Sequence, residues 1–424
     1  MRLLYNFIVF LYQFGITLAS YFGNEKAKQW VDGRQDWRER LKAGLSKSGN
    51  KKRYWFHCAS LGEFEQGRPL IEKVRAEFPD AFIILSFFSP SGFENKKNYT
   101  QVDYITYLPS DSESNARDFL SILKPEKVFF IKYEFWYNYI SEIRKRSIPF
   151  YVVSAIFRPD QIFFKSYGKF FRDMLSGITI IFVQDKNSAE LLESIELTNV
   201  KVSGDTRFDR VAAVAKSFSP MHDIEEYCTQ HRVIVGGSTW PGDDIVLLDL
   251  YRSLEQHARK LILVPHEPDE KHLKVLESTI AELGLSEETI RYSQLKPGSK
   301  KGILIIDKIG MLSRLYHYAD ITYVGGGFGK GIHNILEAAA HNKAVLFGPN
   351  YGKFREAHEL QVAGGAFAIK NSNEATIHAL RLLLNENELK TAGQKAGEYV
   401  RQHTGATGQI FKAIFNPSHD SGQV

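Results

Sequence analysis

Cysteine is almost missing from this chain of 424 residues: there are two, Cys58 and Cys228, far apart. That excludes a disulfide framework and a cysteine-rich zinc site, and it suits a reducing compartment. Asp-x-Asp is missing, and His266 and His272 are not spaced as His-Glu-x-x-His, so metal-ligand signals are poor. Gly-x-Gly-x-x-Gly and Walker A patterns are missing too, which weakens dinucleotide and P-loop readings. No short repeat or low-complexity tract occurs. A one-signed charge is lacking over most of the length. Residues 1–53 carry eleven Lys and Arg against four Asp and Glu, a net of +7, and the other 371 residues sum to −2. A basic collar of this kind suits an anionic membrane surface better than nucleic acid, and no nucleic-acid partner is expected.

What is present begins with one long charge-free run, Leu3–Phe22. As a helix it is roughly 30 Å long, enough to span a bilayer. Its polar residues Asn6, Gln13, Thr17 and Ser20 share one helical face. A single span, a helix lying in the interface, a cleaved signal peptide and a soluble packing helix all fit, with a membrane anchor the leading reading. If the run spans, the Lys/Arg-rich stretch after it puts the body on the cytoplasmic side. Because it precedes every other motif, it is expected to be separable from a body that remains active.

Beyond the collar, short β-branched or aromatic runs alternate with longer amphipathic ones. Alternation at this spacing means βαβ units and parallel sheets, with ligands at the carboxyl ends of strands. It breaks near Ser217–Asp223 and restarts. The expected organisation is an anchor helix (1–24), the collar (25–53), a Rossmann-like domain (54–216) and a second (217–424). The fold class is α/β with two doubly wound domains facing across a cleft. Glycosyltransferases, epimerases and some binding proteins all share it.

Candidate chemistry sits where strands end. In His57-Cys58-Ala59-Ser60-Leu61-Gly62-Glu63, a glycine-containing turn presents a carboxylate at a helix mouth. Glu63 is either a general base or a residue complementing the helix dipole. Glu134 holds the same kind of place after the run Lys127–Ile131. Arg207 either neutralises an anion or pairs with Asp205 or Asp209. In the second half, Gly236-Gly237-Ser238-Thr239, Pro265-His266 and Gly325-Gly326-Gly327-Phe328-Gly329 end three strands. His333-Asn334-Ile335-Leu336-Glu337 opens a helix, where N–H donors suit a phosphate and Glu337 suits ribose hydroxyls.

The segments HCASLGE, SFFSPSG, YEFWYN, SGDTRFD, GGST, VPHEP, GGGF and HNILEAAAH stand in the order seen in bacterial Kdo (3-deoxy-D-manno-octulosonic acid) transferases, and the chain resembles that family over nearly its whole length. The resemblance implies a two-Rossmann (GT-B) inverting glycosyltransferase. It would move Kdo from CMP-Kdo to a lipid A precursor at the cytoplasmic face of the inner membrane, with no cofactor and no metal. It places Glu63 at the general base, and Glu134 and Arg207 at positions stabilising the transition state. CMP contacts fall on Pro265, His266, Ile309, Gly310, Met311, Asn334, Ile335, Leu336 and Glu337. Ser238, Thr239 and His333 are further candidate donor contacts. Two positions depart from the pattern. Many relatives have Pro-Arg-His where this chain has Pro265-His266-Glu267. Many have Ala-Arg where it has Ala155-Ile156, with Arg158 two residues later.

Overall fold

In the computed structural model, residues 1–254 and 259–416 are described. The short apolar runs become two parallel seven-stranded sheets. In the first unit the strands are β1 (Arg53–Cys58), β2 (Phe82–Phe87), β3 (Tyr104–Tyr107), β4 (Lys127–Ile131), β5 (Phe150–Ala155), β6 (Ile180–Val183) and β7 (Val200–Val202). Their spatial order is β3-β2-β1-β4-β5-β6-β7. In the second they are β8 (Arg232–Thr239), β9 (Arg259–Pro265), β10 (Thr289–Arg291), β11 (Ile303–Ile305), β12 (Ile321–Val324), β13 (Ala344–Phe347) and β14 (Ala366–Ala368), ordered β10-β11-β9-β8-β12-β13-β14. Both are doubly wound, with switch points at β1/β4 and at β8/β12, and in the second sheet β10 lies outside β11 at the edge. A crevice opens outside the strand ends at such a point.

The strands are near-continuous hydrophobic runs because helices cover both sheet faces. In the first unit Trp55, Val128, Phe130 and Val152 fill one face together with Trp37, Leu41 and Leu45 from the collar. The collar is therefore part of a core as well as a charged surface. Arg34 lies over the Trp30 ring and donates to the carbonyls of Leu108 (2.8 Å) and Phe88 (2.7 Å). Burial pulls it down to about 9. Arg38 pairs with Asp118 at 2.8 Å. Several collar charges thus serve the fold rather than an outside partner.

The opposite face of the first sheet is covered partly by the helix Ala406–Phe415, whose Ile410, Phe411 and Ile414 pack with Phe56, Phe129 and Ile131. This departs from the expected boundaries of 54–216 and 217–424. The chain changes unit between Arg210 and Val211, inside the helix Thr206–Lys216, and the described residues from Thr404 onward return to the first unit. Asp209 fixes the return: its carboxylate accepts the backbone N–H of Gly405 (2.5 Å) and of Thr407 (2.7 Å), and the Thr407 hydroxyl (2.6 Å). An amphipathic C-terminal helix carries no sign of which sheet it will cover.

The run Leu3–Phe22 forms the helix Arg2–Tyr21, long and apolar enough to cross a membrane by length and composition. Its polar stripe is turned onto the first unit. Asn6 Oδ1 accepts from Asn138 Nδ2 (2.9 Å), and Gln13 Oε1 accepts from the Ser110 hydroxyl (3.1 Å). Leu3, Phe7, Ile8, Phe10, Phe14 and Leu18 are exposed on the remaining surface. The helix thus presents a polar face to protein and leaves an apolar face open.

Truncating Ile410, fully buried between helix and sheet, to alanine removes a large side chain from the first core. Ile410→Ala is expected to cost ~2–5 kcal/mol. Trp30, Trp37, Trp55 and Trp136 lie in the first unit and Trp240 in the second, so tryptophan fluorescence in urea reports mainly the first unit. An unshifted fluorescence transition in this variant contradicts the packing described.

Candidate active site

The turn after β1 is a helix N-terminus of a common kind. Ser60 is the N-cap of the helix Leu61–Glu77, and its side chain accepts the Glu63 N–H. The spacing Ser-x-x-Glu is that of a capping box. Glu63 Oε2 accepts the backbone N–H of Ala59 (2.5 Å), one residue before the cap. A β-carbon at Gly62 would meet nothing closer than Ser60 Oγ at 4.0 Å, so the space beside Glu63 is open. The capping role and the functional role therefore coexist: one carboxylate oxygen is held by the turn while the glycine leaves access.

The turn after β4 brings the second carboxylate. Lys132, at φ +70°, holds a left-handed conformation that side chains rarely adopt, and it redirects the chain just before Glu134. Glu134 Oε2 accepts from Trp136 Nε1 (2.7 Å) and lies 3.4 Å from His57 Nε2. His57 is fully buried on β1. Its Nδ1 is 2.9 Å from Ser86 Oγ, which in turn accepts from Trp55 Nε1 (2.8 Å). Nδ1 also lies 3.1 Å from the Ser86 carbonyl, which can only accept, so Nδ1 is placed to donate while Nε2 faces Glu134.

β1 and β4 are neighbours at the order reversal, so Glu63 and Glu134 share the same end of the sheet. The consequence is electrostatic. Burial, then the Glu134 charge, push Glu63 up to about 8, against the opposing pull of the Ala59 N–H and Lys132. A carboxylic acid tuned near neutrality in a strand-end crevice has the properties of a general base.

Arg207 follows β7. It does pair with Asp205, through Nε at 2.8 Å, whereas Asp209 is taken by the C-terminal segment. Burial works to raise the Asp205 carboxyl, but Arg207 and three hydrogen bonds overcome it and hold the group below the usual carboxylate range. Gln66, on the Glu63 helix, donates to Asp205 Oδ1 at 3.1 Å, and the Gln66 carbonyl accepts from the Thr206 hydroxyl. This buried web ties the Arg207 turn to the Glu63 helix. The charges of Arg158, Glu63, Arg207 and Asp205 all act on the Tyr133 hydroxyl, so Arg158 reaches the same neighbourhood from its displaced position.

In the second unit, the neighbouring strands β11, β9, β8 and β12 end at the expected donor residues. His266 and His333 stack at 4.1 Å, with Trp240 beside His266 at 5.2 Å. Trp240 Nε1 donates to His333 Nε2 (3.0 Å), leaving Nδ1–H as the His333 donor. Burial, then His266, pull His333 down to about 4, and burial lowers His266 against the pull of Glu267, with His272 adding to the lowering. Ser238 is strained at φ +53°, and the buried Thr239 hydroxyl has no hydrogen-bond partner among the described residues. Ile309 is exposed, Gly310 takes φ +88° and Met311 is buried. Asn334 caps the short helix Ile335–Ala340 by accepting the Leu336 N–H, and its Nδ2 donates to Glu337 Oε1 (3.1 Å). Ile335 and Leu336 are buried, so their backbone rather than their side chains is available to a ligand. Pro265 ends β9.

Sequence reasoning missed Asp243. Its carboxylate accepts the Gly326 N–H (2.8 Å), the Trp240 N–H (3.0 Å) and the Tyr323 hydroxyl (2.6 Å), and so shapes two of the donor loops. The glycines of the Gly325–Gly327 loop serve packing within the protein. A β-carbon at Gly325 or Gly327 would strike the backbone of Ser238 or Gly348, so they permit protein backbones to meet. His57 and Trp136 were missed as partners of Glu134, although both stand inside quoted motifs. Among the described residues, no three His, Cys, Asp or Glu side chains converge as a metal site.

Residues 35–210 match the family described as 3-Deoxy-D-manno-octulosonic-acid transferase (kdotransferase). Similar curated proteins include 3-deoxy-D-manno-octulosonic acid transferases of Rickettsia bellii (26% identical, covering 88% of this chain and 90% of the relative) and Haemophilus influenzae (26%, covering 85% and 86%). A bifunctional glycosyltransferase/methyltransferase of Fusobacterium nucleatum is 29% identical over 80% of this chain, which spans about half (52%) of that relative's length. Among solved structures, a glycosyltransferase from Rickettsia africae (TM-score 0.56, 15% identity, covering 87% and 100%) shares the fold. So does a UDP-GlcNAc 2-epimerase from Neisseria meningitidis (TM-score 0.55, 13%, covering 83% and 99%).

The raised Glu63 has a consequence for stability. Below about pH 4.5 both folded and unfolded chains bind its proton; between there and about 8 only the folded chain does. The linked stability is complete below the unfolded value and is lost as pH climbs through about 8. Glu63→Gln is expected to remove this slope, gaining stability relative to the wild type between about pH 5 and 8.5 in urea unfolding. Parallel pH profiles for the two proteins contradict the desolvated carboxyl.

Proposed function

From the premise that this chain belongs to the Kdo transferase family of glycosyltransferases, we propose that it transfers Kdo from CMP-Kdo to a lipid A precursor, lipid IVA, in lipopolysaccharide core biosynthesis. CMP is released and the anomeric centre is inverted. The observation that carries this reading is the pair Glu63 and Glu134 at the ends of β1 and β4, with Glu63 tuned near neutrality by burial and by its neighbour.

Deprotonated Glu63 takes the proton of an acceptor sugar hydroxyl. That oxygen forms a bond to the anomeric carbon of Kdo, and the bond from this carbon to the CMP phosphate oxygen breaks, its electron pair leaving with CMP. A single displacement inverts the centre. Glu134, held by Trp136 and His57, stabilises positive charge developing at the anomeric carbon, and Arg207, held by Asp205, stabilises negative charge. No step is routed through a metal. Pro265, His266, Ile309–Met311 and Asn334–Glu337 contact CMP, while Ser238, the unpartnered Thr239 hydroxyl and the His333 Nδ1–H are offered to the donor. The exposed apolar face of the helix Arg2–Tyr21 supports a lipid acceptor, and the Lys/Arg-rich stretch after it supports a place on the cytoplasmic side of the inner membrane.

Incubating the protein with lipid IVA, Kdo and a CMP-Kdo-generating system is expected to raise the lipid's mass by whole Kdo residues. Glu63→Gln is expected to lower turnover ~10²–10⁴-fold while binding CMP normally. Unchanged lipid mass with the wild type overturns the reading, and near-wild-type turnover in the variant removes Glu63 from it.

His266 stands where many relatives carry Arg. Stacked on a neutral His333 and lowered by burial, it must gain its proton from solution to meet a phosphate as a cation. CMP affinity, by calorimetry from pH 5.5 to 8.5, is therefore expected to fall as pH rises, and His266→Arg to flatten the profile. The CMP phosphate titrates identically in both experiments, so identical profiles for the two proteins return His266 to a neutral role.

A further inference from the structure

The helix Tyr137–Lys145 begins immediately after the loop that carries Glu134, and its N-cap residue, Trp136, offers it no side-chain cap. Its first three N–H groups are nevertheless all satisfied, and by residues from elsewhere. Tyr137 N–H donates to the Tyr5 hydroxyl at 3.2 Å. Asn138 and Tyr139 N–H donate to the two carboxylate oxygens of Asp111, at 3.1 and 3.0 Å. The Tyr5 hydroxyl in turn donates to Asp111 Oδ2 at 2.6 Å. Asn138 Nδ2 bridges Asn6 Oδ1 and the Asp111 carbonyl. Asp111 and Asn138 are buried. A helix start with its orphan amides unpaired is costly, so this cap decides where the helix begins and where the preceding loop ends.

A second path joins the same two places. Tyr12 stacks with Phe88, ring centres 6.2 Å apart, and Phe88 stacks with the Trp136 indole at 4.8 Å. That indole donates to Glu134 Oε2. Tyr5, Asn6 and Tyr12 all belong to the apolar helix Arg2–Tyr21, whose other surface is open.

We propose that the N-terminal helix is a positioning element of the active site: through Tyr5 and Asn6 it fixes the start of the helix after Glu134, and through Tyr12, Phe88 and Trp136 it fixes the Glu134 carboxylate, so that the surface which meets lipid also sets turnover. This rests on the reading of Glu134 given above. It runs against the expectation that the segment is separable from an active body. Removing it would strip one partner from Asp111, the cap from Tyr137 and the stacking partner from Phe88. Tyr5 is a positioning residue: it reaches Glu134 only through the cap, the loop and its field.

The test is a double-mutant cycle in the full chain, with acceptor dispersed in detergent. Tyr5→Phe deletes one oxygen and keeps the ring packed on Tyr137 and Phe170. It is expected to lower kcat roughly 10- to 100-fold, the loss typical of a misplaced group. KM and binding to phospholipid vesicles stay close to wild type, and the variant remains folded at the assay temperature. In a Glu134→Gln background the same change is expected to cost nothing further, since the group being positioned is gone. Losses that multiply, or a wild-type kcat in Tyr5→Phe, overturn the proposal. A wild-type kcat in Glu134→Gln alone overturns the role of Glu134 and the proposal with it. If Tyr5→Phe melts early, Asn6→Ala carries the same cycle.

Discussion

Two carboxylates at the ends of adjacent parallel strands repel one another, and much of the first unit is arranged around that repulsion. The order β3-β2-β1-β4 makes the turns after β1 and β4 neighbours. Glu63 enters from one and Glu134 from the other. Each is held by its own partners: Ala59 N–H for Glu63, Trp136 and the buried His57 for Glu134. Burial, then the Glu134 charge, raises Glu63 and keeps its proton to near neutrality. Burial and a like-charged neighbour are a general way to bring one carboxyl of a pair toward neutrality.

Holding such a pair demands a rigid frame, and the frame is assembled from distant parts of the chain. Residues from the N-terminal helix cap the helix beyond Glu134. The Asp205–Thr206 turn is laced to the Glu63 helix through Gln66 and to β5 through Ser154. Asp209, four residues past Asp205, pins the C-terminal segment that covers the far face of the same sheet. Packing, capping and ion pairing thus converge on one sheet edge. Pre-organised charge at that edge is what the proposed displacement requires.

Much of this was legible before any coordinates. The alternation of apolar runs with amphipathic stretches marked the central strands of both sheets, because a parallel strand buried on both faces reads as a continuous apolar run. The edge strands β3, β7, β10 and β14, three or four residues long, carry too little pattern to stand out. The turn at Ser60–Glu63 was legible because small residues and a glycine between an apolar run and an amphipathic one leave a signature in four residues. Asp111 was not. It sits among serines in Ser110-Asp111-Ser112, and only the fold brings Tyr137–Tyr139 and Tyr5 to it. The same holds for Arg34, which reads as one more collar charge and lies between aromatic rings. Nor does composition separate an apolar helix that merely tethers from one whose Tyr5 and Asn6 are built into a neighbouring cap. Local chemistry is written locally; pairings across a hundred residues are not.

The claim on which the account turns is that Glu63 retains its proton to near neutrality because it is desolvated and faces Glu134. Selective carbon-13 labelling of glutamate carboxyls, with Glu63 assigned by its loss in Glu63→Gln, reads that proton directly. The account predicts a Glu63 midpoint near 8 that falls when Glu134→Gln removes the neighbouring charge. A midpoint in the ordinary glutamate range in both proteins would contradict it.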